Sequence, residues 1–310
     1  MEKIICVAGP TASGKTKLAV ELAKLYHGEV LSCDSMQIYR NMTIGTAAPT
    51  LDEMQGVPHH MIGVADARED FSVGKYVEMA EPILQDILAR GKTCIVCGGT
   101  WLYADSLLLG RSFAPCPSTG ARETLERVAA EAGIEPLLAR LKSVDPEAGA
   151  RLHPSDKRRI IRALEVYLET GQTISEHNRL TKLQPPRHEA CWIGLSFENR
   201  QDLYDRIDLR VEKMLEAGLL DEIRALRASG VPDTATAMQA IGYKEYLNAL
   251  EHGGDLAEAT RLVQQRSRNY AKRQLTWLRR NDRIHWILQP REPDFSAILQ
   301  EARRNIPFFA

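Results

Sequence analysis

The sequence predicts an α/β fold: a P-loop NTPase-like parallel sheet core flanked by helices, with a helical insertion domain. Three features predict it. Short apolar, β-branched-rich runs alternate with amphipathic stretches, the pattern of strands covered on both faces. The first run passes straight into a Gly-rich loop and then a helical pattern, the opening of a strand–loop–helix unit. A long stretch without any strand signal then interrupts the alternation.

The elements follow in order. Residues 4–8 (IICVA) predict a strand, Gly9–Gly14 a loop, and Leu18, Leu22 and Leu25 set a helical spacing. Residues 29–33 (EVLSC) predict a second strand and 60–64 (HMIGV) a third. Residues 75–90 are helical, with Pro82 marking a kink or a first turn. Residues 93–97 (TCIVC) predict a buried strand ended by Gly98-Gly99, and 190–195 (ACWIGL) a fifth strand. The insertion between them opens with the Pro/Ser/Gly-rich segment Ala114–Gly120 and closes near Gln184-Pro185-Pro186. It carries helical patterns over 121–132, 135–142 and 156–169. The core is therefore expected over 1–113 and 190–310, and the insertion over 114–189. After the fifth strand, helices are expected over 200–229, 240–251 and 255–280, then a last strand at Ile284–Leu288.

Composition excludes several classes. With 310 residues, 44% hydrophobic and 26% charged, the chain is too apolar for a disordered protein and long enough for one large or two modest domains. No apolar run reaches the ~18 residues that span a bilayer. The N-terminal MEKIICVAGPTASGKT lacks the apolar region of a signal peptide, so a cytoplasmic protein is expected, with no membrane contact. A net charge of −1 argues against a chain that is basic throughout, though not against a local basic face. Cys6, Cys33, Cys94, Cys97, Cys116 and Cys191 are scattered and read as reduced thiols. Cys94 and Cys97 make a C-x-x-C, but on a strand they point to opposite faces, which favours buried thiols over a metal or redox pair.

Gly9-Pro10-Thr11-Ala12-Ser13-Gly14-Lys15-Thr16 fits G-x-x-x-x-G-K-[ST]. Glycines let backbone N–H groups converge on phosphate oxygens, and the helix N-terminus adds a favourable dipole. Lys15 supplies a point charge, and the Thr16 hydroxyl is the expected Mg²⁺ ligand. The loop thus specifies a diphosphate or triphosphate. By itself it favours an ATP-using small-molecule kinase, but such proteins usually end another core strand in a metal-holding carboxylate. Here that strand ends Cys97-Gly98-Gly99-Thr100, without an acid. The nearest free carboxylate past a core strand is Asp34, at the rim where α/β sheets bind ligands. There it can accept a proton or hold a metal ion; the plainer alternative is a helix N-cap.

Taken together, GPTASGKT, DSMQIYRNMTIGTAAP (Asp34–Pro49), GGTWLY (Gly98–Tyr103), RALEV (Arg162–Val166), IGYKE (Ile241–Glu245) and KRQLTWLRR (Lys272–Arg280) resemble the tRNA dimethylallyltransferase (tRNA isopentenyltransferase) family. The resemblance covers nearly the whole chain, in the family's order, and is to the bacterial type, since no zinc-finger spacing follows up to Ala310. A related branch that modifies free adenine nucleotides is similar in the first three motifs. The resemblance implies transfer of a dimethylallyl group from dimethylallyl diphosphate to N6 of the adenine 3′ of the anticodon, in tRNAs reading codons that begin with U. It implies that Asp34 takes the amino proton, that Thr100 contacts the diphosphate or the reacting centre, and that Arg210 clamps the leaving diphosphate. The plainer alternatives are a helix cap for Thr100 and a surface helix arginine for Arg210. Met36 and Trp101 depart mildly from the family's usual residues.

The family's tRNA-contacting positions fall on Arg122, on Arg158, Arg159 and Arg162, and on Gln239, Gly242, Tyr243 and Lys244. The near-zero net charge hides a basic excess between Arg261 and Arg283, opposed only by Asp282, and another from Arg151 to Arg162. Basic residues on phosphates would give salt-dependent affinity for the tRNA anticodon stem-loop. The target adenine must be extruded to reach Asp34, where Ser35, Met36 and Gln37 are expected to read it or its neighbour. Val263, Tyr270, Ala271, Trp277 and Leu278 share a stripe of one helix that reads as core. A monomer is expected. The competing readings are the ATP-dependent kinase and a P-loop RNA-binding protein without prenyl chemistry.

Overall fold

The computed structural model describes residues 2–110 and 119–307. Five of the six expected runs form strands, a short β3 begins where the remaining one was expected, and all pair in parallel in the order β3-β2-β4-β1-β5-β6. In chain order the first stretch contains β1 (Ile4–Ala8), α1 (Lys15–Leu25), β2 (Gly28–Ser32), α2 (Leu51–Met54), β3 (His59–His60), α3 (Val73–Ala89), β4 (Thr93–Cys97) and α4 (Trp101–Leu108). The insertion contributes α5 (Ala121–Glu131), α6 (Glu135–Val144), α7 (Pro146–Arg151), α8 (Lys157–Thr170) and α9 (Ile174–Lys182). Then come β5 (Cys191–Phe197), α10 (Arg200–Glu216), α11 (Leu219–Ala228), α12 (Tyr243–His252), α13 (Leu256–Leu278), β6 (Ile284–Gln289) and α14 (Phe295–Arg304).

The chain packs as two units, one of Met1–Leu108 with His188–Ala310 and one of Leu109–Arg187. The crossings therefore lie five residues and two residues before the expected boundaries at 114 and 190, because α4 belongs to the sheet unit and the His188 amide donates to the Leu108 carbonyl (2.9 Å). Cys116 and most of the expected Pro/Ser/Gly-rich opening lie outside the described residues.

Core packing follows the sequence pattern. One face of the sheet is covered by α3 and α4 through Tyr76, Leu84, Trp101 and Leu107; the other by α1 and α14 through Leu18, Leu22, Ile298 and Ala302. Cys94 belongs to the first cluster and Cys97 to the second, as a strand requires; both are buried free thiols, and burial pushes Cys97 up to about 11. The insertion has its own core around Leu125, Leu141, Ile160 and Leu164. No helix among the described residues is long and apolar enough to cross a membrane.

Several elements differ from expectation for local reasons. The third strand stops at His60, because Met61 (φ 63°) and Gly63 (φ 61°) turn the chain away from the sheet. The expected helix over 200–229 is two helices, broken at Gly218 (φ 96°). Pro82 leaves α3 unbroken; it sits on the exposed face, where the carbonyl it frees can bond water. Helix α9 buries no residue and so has no apolar periodicity to announce it.

At the opposite edge of the sheet from the strand C-termini, the Glu29 side chain is 4% exposed and binds Arg90 (2.5 Å), Lys92 (2.5 Å) and His60 (2.8 Å). Hydrogen bonds from Arg90, then Lys92 and His60, hold its carboxyl well below the usual range against the opposing cost of burial. A depressed carboxylate pKa contributes stability above the unfolded-state value, lost as pH falls below about 4.3. Glu29→Gln should therefore lower the thermal midpoint at neutral pH, by about 2 kcal/mol of stability. It should also shrink the wild-type loss between neutral pH and strong acid. Thermal unfolding across that range checks both.

Candidate active site

A cavity of about 360 Å³ opens over the C-terminal ends of β1, β2 and β4, and Lys15 and Asp34 both line it. On the phosphate-loop side, Gly14 (φ 88°) turns the chain into α1, a conformation that a Cβ would strain. The Lys15 ammonium donates to the Pro10 carbonyl (3.2 Å) and faces the cavity. Burial pulls its pKa down and the nearby Arg210 charge adds to this, while Cys97 and Asp34 oppose it. Arg210 reaches Thr11 Oγ1 (3.3 Å), and burial lowers its pKa as well. Two cations desolvated beside one cavity repel each other; an anion between them relieves both costs.

Two buried glutamines hold the loop. Gln289 Nε2 donates to the Ser13 carbonyl (3.0 Å). Gln274 Oε1 accepts from the Thr11 N–H (2.9 Å), while its Nε2 donates to the Gly99 carbonyl (2.8 Å). The Tyr270 hydroxyl donates to the same carbonyl (3.1 Å), and burial raises its pKa. The Ser13 Oγ is buried without a hydrogen-bond partner, and the Thr16 hydroxyl lines the cavity. Hydroxyls, a lysine and a helix N-terminus fit a diphosphate that carries a hard divalent ion. Among the described residues no group of three or more His, Cys, Asp or Glu is placed to hold a metal on its own.

Asp34 follows β2. Its Oδ1 accepts from the Met36 and Gln37 N–H groups (3.0 and 3.4 Å). Its Oδ2 lies 2.8 Å from where a Cβ on Gly99 would stand, with Gln274 Nε2 at 2.9 Å and the Tyr270 hydroxyl at 3.3 Å from the same point. Gly98 is equally constrained, since its Cβ would meet the Cys33 carbonyl at 2.5 Å. The two glycines thus let the Asp34 turn and the end of β4 touch. Thr100 joins them: its Oγ1 accepts from the Ser35 N–H (2.9 Å) and donates to Ser35 Oγ (3.0 Å). It braces the Asp34 turn and is not spent as a side-chain cap of α4.

Of the other expected residues, Thr11, Ser35, Met36, Gln37, Gln239 and Gly242 line the cavity. Gln37 is already engaged: Nε2 donates to the Thr46 and Ala47 carbonyls (3.3 and 3.1 Å), and Oε1 accepts from Ser32 Oγ (3.3 Å). Gly9, Pro10, Ala12, Ser13 and Gly14 belong to the loop but are not among the residues that line the cavity. Tyr243 is a correction to the expected tRNA contacts. It is fully buried, and its hydroxyl donates to Glu222, so it belongs to the core. Lys244 beside it is exposed. In the insertion unit, Arg158 and Arg159 are exposed, whereas Arg122 and Arg162 both bind Glu165 (2.9 Å each).

Tyr270, Arg273, Gln274 and Glu222 were not expected in the site. Glu222 accepts from the Thr43, Ile44 and Gly45 N–H groups (2.8, 2.8 and 3.1 Å) and so holds the loop whose carbonyls engage Gln37. The one legible signal was Gln274, a polar residue on the apolar stripe Val263, Ala271 and Leu278.

The chain is similar to known proteins over nearly its whole length. A family model described as IPP transferase matches residues 37–281, and one described as isopentenyl transferase matches residues 2–63. A tRNA dimethylallyltransferase of Caldanaerobacter subterraneus subsp. tengcongensis is 43% identical over 98% of this chain and 96% of its own length. The crystal structure of a tRNA isopentenylpyrophosphate transferase from Bacillus halodurans is 39% identical, with a TM-score of 0.73 over 98% of this chain and 95% of that one. A eukaryotic dimethylallyltransferase captured acting on tRNA is 29% identical, with a TM-score of 0.80 over 96% of this chain and 75% of that one. Phosphate loop, rim carboxylate and whole-length similarity together establish that the chain belongs to the IPP transferase family.

Proposed function

We propose that the protein transfers the dimethylallyl group of dimethylallyl diphosphate to N6 of the adenine immediately 3′ of the anticodon, in tRNAs that read codons beginning with U. The observation that carries this reading is that Lys15 and Asp34 line one cavity, so that an anion cradle and a base share one space. The allylic C–O bond breaks, its electron pair leaving with the diphosphate. The N6 lone pair forms the new C–N bond, and one amino proton passes to Asp34 Oδ2. An exocyclic amine is a weak nucleophile, so a fixed base is useful, and the Met36 and Gln37 N–H groups fix this one through Oδ1.

Charge builds on the departing diphosphate, so Lys15, Arg210 and the loop amides carry the largest share of catalysis. Magnesium, held by the Thr16 hydroxyl together with the diphosphate, would neutralise part of that charge. Arg158 and Arg159 are proposed to bind phosphates of the anticodon stem-loop; Arg122 and Arg162 would have to share their pairing with Glu165. The protein is proposed to act as a monomer, and the substrates set the work in the cytoplasm. The ATP-kinase reading is not favoured by the family's chemistry.

Incubation with dimethylallyl diphosphate and tRNA should add the mass of one five-carbon prenyl unit to an adenine; ATP consumption without that gain would restore the kinase. Asp34→Asn should lower kcat by about 10²–10⁴-fold with little change in tRNA affinity; equal losses in both would remove the base role. Lys15→Ala should raise the donor KM and lower kcat together, and an unaltered donor titration would exclude the diphosphate assignment. Arg158→Gln with Arg159→Gln should lower the slope of log affinity against log salt by about 0.7–0.9 per lost phosphate contact, read from tRNA binding at a series of salt concentrations.

A further inference from the structure

Helix α13 carries two stripes. Val263, Ala271, Gln274 and Leu278 are buried against the core. Arg266, Tyr270, Arg273 and Trp277 lie at successive three- and four-residue steps on another side, and Arg280 follows just past the helix end. Tyr270 and Arg273 line the cavity. Trp277 is 38% exposed, a large apolar ring that the expected core stripe does not absorb.

That ring is held in place. Its Nε1–H donates to Asp105 Oδ2 on α4 (3.0 Å), which fixes one edge. The Arg280 guanidinium lies 5.8 Å from its centroid. Arg273, one turn before it, lies 5.8 Å from the Tyr270 ring, and the segment Lys272–Arg280 carries four cations and no acidic residue. Trp277 is one turn beyond Arg273, about 6 Å along the axis, within reach of the nucleotide next to one whose base lies in the cavity.

Extruding an adenine breaks the stack on both sides of it, so its neighbour is left with a bare face. We propose that Trp277, braced by Asp105 and Arg280, is a stacking platform for that neighbouring base of single-stranded RNA, with the cations of its segment on the adjoining phosphates. A rigid aromatic face in a basic setting is the chemistry that recognises an unstacked base without reading its identity. This inference rests on the proposed tRNA reading and adds to it a site outside the cavity.

The test measures binding of an anticodon stem-loop containing the target adenine. Trp277→Ala should weaken affinity about tenfold without altering the salt slope, since no phosphate contact is lost. Trp277→Phe should recover more of the affinity than Trp277→Leu, because only the former keeps a π-face. Arg280→Gln should lower the slope. Independently of any folding defect in the alanine variant, stem-loop binding should quench wild-type tryptophan fluorescence, and Trp277→Phe should remove that quench, because Trp101 and Trp192 are buried and the half-buried Trp286 packs against the sheet core from β6. An affinity within twofold of wild type for the alanine variant, equal recovery by Leu and Phe, or a quench that survives in Trp277→Phe would each overturn the platform. Wild-type protein that leaves tRNA unprenylated would instead overturn the proposed function, and the platform with it.

Discussion

The amide of Gln274 is the contact on which the site depends. It sits in the buried stripe of a long helix, yet both its ends are used: the oxygen on the Thr11 N–H and the nitrogen on the Gly99 carbonyl. One neutral side chain thereby ties the phosphate loop after β1 to the turn after β4, and both to α13. A buried amide with both ends satisfied adds rigidity at little net cost, whereas half-satisfied it would be a liability. The sheet order reinforces the arrangement. β4 lies between β1 and β2, so the turn at Gly98-Gly99 packs directly against Asp34 and reaches the loop through Gln274.

Electrostatics then divides the cavity. Lys15 and Arg210 are desolvated cations that gain most when an anion arrives, and Asp34 is a carboxylate whose one oxygen is pinned by backbone amides. The phosphate loop that carries Lys15 follows β1, and Asp34 follows β2. Glu222 extends this order outward. By collecting three successive backbone amides it shapes the loop whose carbonyls engage Gln37. Gly45 belongs to the same device, since a Cβ there would collide with the Tyr243 ring.

Much of this was legible in the sequence because the signals are local. The phosphate loop is a contiguous motif between a strand and a helix, and Asp34 is readable as the first acid beyond an apolar run. The parallel sheet follows from the alternation of runs. What was not legible depends on partners far along the chain. Thr11 and Gln274 are 263 residues apart, and Thr43 and Glu222 are 179 apart, so no spacing rule connects them. Tyr243 misled because a motif residue was taken for a contact when its ring is core. Tyr270 and Trp277 misled in the opposite sense: helical spacing put them on one stripe with Ala271 and Leu278, but only a backbone fold shows that a wide stripe has a dry edge and a wet one. Helix α9 was missed although Thr173 and Glu176 carry a capping pattern, because a helix that buries nothing leaves no periodic trace.

The backbone hydrogen bond between His188 and Leu108 has a consequence for how such a protein can change over generations. The chain departs from the catalytic unit and rejoins it at a single seam, so the excursion between is a closed bight, and its length is felt by the sheet only through the entropy of bringing two ends together. That cost rises by only about 0.6 kcal/mol for each doubling of length. Material can thus be spliced into or trimmed from the excursion while the strand order, the cradle and the acid keep their register, leaving descendants free to rebuild the inserted module without redrawing the sheet.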